Sequence, residues 1–295
     1  LFHKHKLMSG ASSRVEEEKR ESKSGASPSP ATATYWTCSM CTFVNELQAE
    51  SCMMCGAGAG SDPEVERKRI RKNLKRQFSD RASNDVKRYR EGYPGQKDNK
   101  DMNLNLRFYT NQIQSRPKGD YIENILSDWY GDYEKLEQHH GYIQWLFPIR
   151  EKGMNSKSQP LQRFEARAIC RDPLAFQRFK RAYRMMLDFY GMQLIDEATG
   201  HIERQNNYME RYVNLAESGH NWLRITRILK SLGEFELEHY KIHLISIIIQ
   251  EFHSGFLKAC GSSIKQYWIP VVKSQYQRLL AYNVSYERKK EIHTN

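Results

Sequence analysis

The stretch Phe235 to Ala259, FELEHYKIHLISIIIQEFHSGFLKA, decides the fold class. It gathers Leu244, Ile245, Ile247, Ile248 and Ile249 within six residues, so a helix built on it is apolar on nearly every side. Such a helix must be enclosed. The run is far shorter than the roughly 20 apolar residues that cross a bilayer, so other helices must enclose it. A buried central helix is therefore expected.

Upstream segments supply the enclosing helices. Ile122, Ile125, Leu126 and Trp129 recur at helical spacing behind Asp120, which is placed to cap, with Glu123 three residues on. Asp172-Pro173 opens another helix, with proline at its first position. That helix carries Phe176, Phe179, Tyr183, Leu187 and Tyr190 and ends at Gly191. Tyr208, Tyr212 and Leu215 mark a further helix, and Trp222, Ile225, Leu229 and Leu232 another. No alternating strand pattern stands out. Trp268, Ile269, Val271 and Val272 read as a segment that docks back on this body. The expected fold is a single all-α helical domain.

Nothing in the body reads as catalytic. It has no glycine-rich phosphate loop, no GxSxG and no HExxH. His139 and His140 are adjacent and so point to different helix faces, which reads as buried or capping histidines. Cys170, in EARAICRDP, lacks a nucleophile motif. The aromatic stripe reads as core, and Arg163, Arg167, Arg171, Arg178, Lys180, Arg181 and Arg184 read as a solvated face.

Between these helices, Tyr142 to Pro148 (YIQWLFP) is too apolar for an exposed loop and must pack inside. Together with LRFYTNQI (Leu106 to Ile113) and DYIENILSDWYGDYEKLEQHH (Asp120 to His140), the HHGYIQWLFP segment resembles the opioid growth factor receptor family. The resemblance covers about residues 103–252. It implies a nucleus-associated, intracellular receptor for an enkephalin-type growth-regulating peptide, unrelated to heptahelical receptors. It offers no residue-level peptide site.

The N-terminal part carries a different chemistry. Trp36 to Gly56 reads WTCSMCTFVNELQAESCMMCG, with Cys38 and Cys41 in one CxxC, ten residues, then Cys52 and Cys55 in another. Four thiolates at this spacing make a structural zinc site. A module this small needs the metal to fold. Trp36, the four cysteines and Asn45 resemble the zinc fingers named after the Ran-binding nucleoporin. Thr42, Phe43 and Met54 stand where the ubiquitin-binding NZF members have Thr-Phe and an apolar residue. An exposed Phe43–Met54 pair would form a docking patch, of affinity about 10⁻⁴ M by itself. Simple core packing and RNA contact are the alternatives.

The net charge is +11. Between Arg67 and Arg90, eleven basic side chains face only Asp80 and Asp85, so most of that excess is local. Arg67, Lys68, Arg69, Arg71, Lys72, Lys75 and Arg76 form its densest part, which reads as an importin-binding signal, a nucleic-acid or anionic-membrane patch, or a solvated linker with no partner. A nuclear nucleic-acid-associated regulator is thus the alternative function, and nucleus and cytoplasm, including the perinuclear region, are the expected locations. Ser9 to Thr34 has almost no apolar anchors and reads as disordered. The expected organisation is a tail over 1–34, a finger over 35–59, a basic linker over 60–102, the helical domain over 103–259 and an extension over 260–295.

Overall fold

The computed structural model describes residues 35–38, 44–52, 58–60, 62, 64–65, 83–275, 277–278 and 281. The protein is mainly helical, as the apolar periodicity requires. After a short hairpin of β1 (Tyr35–Thr37) and β2 (Val44–Glu46) come α1 (Asn84–Arg90), α2 (Leu104–Tyr109), α3 (Ile122–Asp128), α4 (Tyr133–Gln138) and α5 (Ile143–Leu146). Then follow α6 (Arg163–Arg171), α7 (Pro173–Phe189), β3 (Met192–Asp196), β4 (His201–Arg204), α8 (Tyr208–Glu217), α9 (Gly219–Glu234) and α10 (Glu238–His253). A short 3₁₀ turn at Lys258–Cys260 and a π-helical turn at Ile264–Trp268 follow.

The central helix is α10. Leu244, Ile245, Ile247, Ile248 and Ile249 are all buried, with neighbours on every side. The second long helix, α7, starts where the Asp-Pro pair places it. Asp172 Oδ1 accepts from the amides of Leu174 and Ala175 at 2.9 and 3.1 Å, satisfying donors that a first helical turn leaves open. Phe179, Tyr183 and Tyr190 are buried and Phe176 is partly so. At Gly191 the chain turns at φ 76°, and a Cβ there would sit 2.7 Å from the Cα of Tyr208. Both the left-handed backbone and the close approach require glycine.

Three local details differ from expectation. Asp120 does not cap α3: Tyr121 stands at the N-cap, and Asp120 Oδ1 accepts instead from Tyr121 N and Asn124 Nδ2. Glu123 does not close a capping box, because Arg178 and Arg181 of α7 draw its carboxylate away at 2.7 Å each. The basic face of α7 is thus ion-paired as well as solvated, since Lys180 and Arg184 share Glu197. Finally, a β hairpin interrupts the helices: β3 pairs antiparallel with β4, Leu194 facing Ile202, with a bulge before Asp196.

Two flanking pieces close the body. Val86, Tyr89 and Tyr93 are buried in the same core as the helices, although they lie in the stretch read as basic linker. Tyr89 donates its hydroxyl to the Lys230 carbonyl at 3.0 Å and accepts from Lys241 Nζ at 2.6 Å. Trp268, Ile269, Val271 and Val272 dock back as expected, fully buried, with Trp268 Nε1 donating to Thr226 Oγ1 at 3.0 Å. Among the described residues no helix is long and apolar enough to cross a membrane.

Candidate functional site

The apolar YIQWLFP run positions the site. Tyr142, Trp145, Leu146 and Phe147 are buried, and Trp145 Nε1 is tied to the Arg116 carbonyl at 2.9 Å. Burying this run fixes the loop that follows it, 148–157, against one face of α9. Between them opens a cleft of about 890 Å³, within the range of ligand-binding cavities. Its apolar lining includes Ile143, Ile149, Leu223 and Met154. Leu223 and Met154 are large apolar side chains left 66% and 95% exposed at this rim. A second cavity of about 330 Å³, lined by residues between Gln112 and Tyr121, is smaller.

The cations of α9 at the cleft differ in how far their donors are committed. Lys230 Nζ is taken up by Asp85 and Glu151, at 2.8 Å each. Arg224 is buried and donates to the carbonyls of Leu136 and Glu137, to Asn221 Oδ1 and towards His140 Nδ1. Arg227 gives only its Nε, to the Phe147 carbonyl at 2.8 Å. Among the described residues its two terminal nitrogens have no protein partner. Burial lowers its pKa to about 10, with the charges of Glu151 and Tyr93 acting the other way, so it stays cationic at neutral pH.

The histidines are not both buried or capping, as the sequence suggested. His139 is half-buried, receives the Gly141 amide at 3.2 Å and lies 3.1 Å from the Lys118 carbonyl. His140 is exposed at the cleft wall, its ring 5.5 Å from that of His220. Partial burial and the nearby charges of Arg224 and His220 lower its pKa, leaving it neutral at pH 7. His220 Nε2 lies 2.5 Å from Glu137 Oε1. Burial would raise the Glu137 pKa, but the hydrogen bonds from Asn214 and Asn221 and the charges of His220 and Arg224 outweigh it and hold the carboxyl low. Neither described body cysteine supplies a thiolate: burial raises Cys170 to about 11 and Cys260 to about 12.

Of the expected zinc ligands, Cys38 and Cys52, the first cysteine of each CxxC in the sequence, are buried. Cys38 directly follows β1, which pairs with β2, Trp36 facing Asn45. Cys52 directly follows Ser51, which bridges to Gly58. Trp36 Nε1 donates to the Ala49 carbonyl at 3.1 Å, and Asn45 is buried. Cys41, Cys55, Thr42, Phe43 and Met54 lie outside the described residues, as do Arg67, Lys68, Arg69, Arg71, Lys72, Lys75 and Arg76. Among the described residues no group of three or more His, Cys, Asp or Glu is arranged to hold a metal ion.

Residues 97–294 match the opioid growth factor receptor (OGFr) conserved region. The chain belongs to the opioid growth factor receptor family. It is 44% identical over 212 residues to opioid growth factor receptor-like protein 1 of Mus musculus, covering 70% of this chain and 45% of that protein. It is 44% identical over 202 residues to the opioid growth factor receptor of Mus musculus, covering 67% of this chain and 32% of that protein. The Homo sapiens receptor is 42% identical over 201 residues, 67% of this chain and 30% of that protein. The chain thus spans less than half the length of these relatives. No solved structure matches it.

Proposed function

We propose that the helical body is a non-catalytic peptide-binding module, a receptor of the kind its relatives are named for, with the α9 cleft as its ligand site. The cleft carries this reading. It combines ligand-sized volume, apolar walls with exposed Leu223 and Met154, and a cation with donors to spare. An enkephalin-type peptide is the ligand class that the family resemblance supplies. Calorimetric titration of the full chain with such a peptide should give saturable one-site binding that Leu223→Ser weakens roughly tenfold or more. Absence of saturation at millimolar peptide would reject the receptor reading.

A second module supports a companion reading. The burial of Cys38 and Cys52, each the first cysteine of a CxxC, favours a zinc finger completed by Cys41 and Cys55. Bound zinc would supply the folding energy that so small a segment lacks. We read this finger as a ubiquitin-binding element presenting Thr42, Phe43 and Met54. Native mass spectrometry should count one zinc per chain, lost in Cys52→Ser. Phe43→Ala should keep the zinc and abolish the shifts that the full chain induces in isotope-labelled ubiquitin.

A further inference from the structure

Three of the basic groups lining the cleft stand on α9, and their uses differ. Lys230 is neutralised by Asp85 and Glu151, the acidic groups of the same lining. Arg224 has spent both terminal nitrogens on the carbonyls of Leu136 and Glu137, on Asn221 and on His140. Arg227 alone among the three presents two terminal nitrogens with no protein partner among the described residues. Its Nε bond to the Phe147 carbonyl holds the guanidinium in place at 2.8 Å. That is a fixed fork. Two parallel donors on a rigid planar cation match the two oxygens of a carboxylate. Lys152 and Lys157, exposed in the facing loop, add positive charge to the approach.

The surroundings narrow the anion. Ile143, Ile149, Leu223 and Met154 line the same cleft, so the anion must arrive attached to something apolar. A phosphate dianion would call on several free cations, and within the cleft wall Arg224 and Lys230 are already engaged. A volume of about 890 Å³ suits a ligand the size of a drug molecule or a few residues, not a whole helix or strand. A chain end fits both limits, because it brings its carboxylate and its last side chain together.

We propose that the cleft captures a peptide by its C-terminal carboxylate, held by the Arg227 fork, with the terminal apolar side chain against Ile143, Ile149 and Leu223. The proposal rests on the receptor reading for the larger ligand, but the anchor has its own test.

The full chain is titrated with an enkephalin-type peptide as free acid and as C-terminal amide. In parallel, the Arg227 Nε–H resonance is followed as N-acetyl-leucine or its amide is added. The free acid should bind roughly 10- to 100-fold more tightly than the amide, the usual scale of a charge-assisted pair. N-acetyl-leucine should shift the Arg227 signal and its amide should not. Arg227→Lys keeps the charge, loses the fork and should shrink the acid-over-amide preference. Leu223→Glu places a carboxylate one helical turn from Arg227 on the same face, where it competes for the fork. Because Leu223 is 66% exposed, this variant leaves the core intact and carries the test even where Arg227→Lys folds poorly.

Equal binding of acid and amide by the wild-type protein would overturn the carboxylate anchor and leave the receptor reading standing. If the peptide does not bind in either form but N-acetyl-leucine shifts Arg227, the anchor stands and the enkephalin-type reading falls. If neither probe binds, both are overturned.

Discussion

Helices α9 and α10 are each sixteen residues long and follow one another in the chain, yet they do opposite jobs. In α10 eleven residues are buried, on every side, and even Lys241, His243, Ser246 and Glu251 are inside. In α9 eight are buried, among them the stripe Ile225, Ile228, Leu229 and Leu232, while Leu223 and the Arg227 fork look into the cleft. A helix spent wholly on the core has no surface left for a ligand. One that gives the core half its circumference can display the other half in a fixed pose, because the buried half cannot shift without opening the core. On the proposed reading, α10 supplies stability and α9 supplies recognition.

The sharpest way to break it is a cavity in α10. Ile248 is fully buried. Ile248→Ala should cost about 2–5 kcal/mol, transfer and cavity terms together, read as a drop in the midpoint of urea unfolding. A loss below about 1 kcal/mol would mean α10 is not the central helix.

His243 sharpens the same point through pH. Burial lowers its pKa from 6.5 to about 4, helped by the charges of His201 and His239. Between those values the unfolded chain binds a proton that the folded chain refuses, so stability falls as the pH drops from 6.5 towards 4. The full effect is about 3 kcal/mol. This window lies above the titration of Glu123, Glu137 and Glu197, whose carboxyls are held below the usual range. His140 and His239, also lowered, add to the fall, while Glu165 and Glu234, raised by burial, oppose it, so His243→Leu should reduce the slope of unfolding stability against pH between 6.5 and 4.5. An unchanged slope would place the acid sensitivity elsewhere.

How much of this was legible in the sequence follows from how local each signal is. The Leu244–Ile249 run, the Asp172-Pro173 start and the YIQWLFP segment each announce themselves within a few residues, and each stands where it was expected. The hairpin of β3 and β4 did not. MQLID and HIER are five and four residues long, too short for alternation to rise above the surrounding helices. Its one signal was Thr199-Gly200, where Gly200 takes a φ of 84°. In α1 and just after it the apolar Val86, Tyr89 and Tyr93 were hidden by the charge around them. The cleft was illegible for another reason. Its walls come from Asp85, His140, Ile149, Arg227 and Tyr267, which no sequence window holds together. Arg227 looks like any helix cation until the fold shows that, among the described residues, the terminal nitrogens of Arg224 and Lys230 are occupied and those of Arg227 are not.

The smallest expected effect on stability is also the one that tests the division between the two helices most directly. Leu223 is 66% exposed, so the folded state gains little from its side chain. Leu223→Ser should change the unfolding free energy by less than about 0.5 kcal/mol, apart from a slight loss of helix propensity. It removes apolar wall from the cleft, and a ligand that buries this side chain loses roughly tenfold or more in affinity. Stability and binding measured on the same preparation then separate two accounts of an exposed leucine. If it is a tolerated accident, as isolated surface apolar residues commonly are, both numbers stay put. If α9 is a recognition helix, stability holds and affinity drops. A fall in both would show that the cleft face of α9 serves the core as well, and the contrast with α10 would fail.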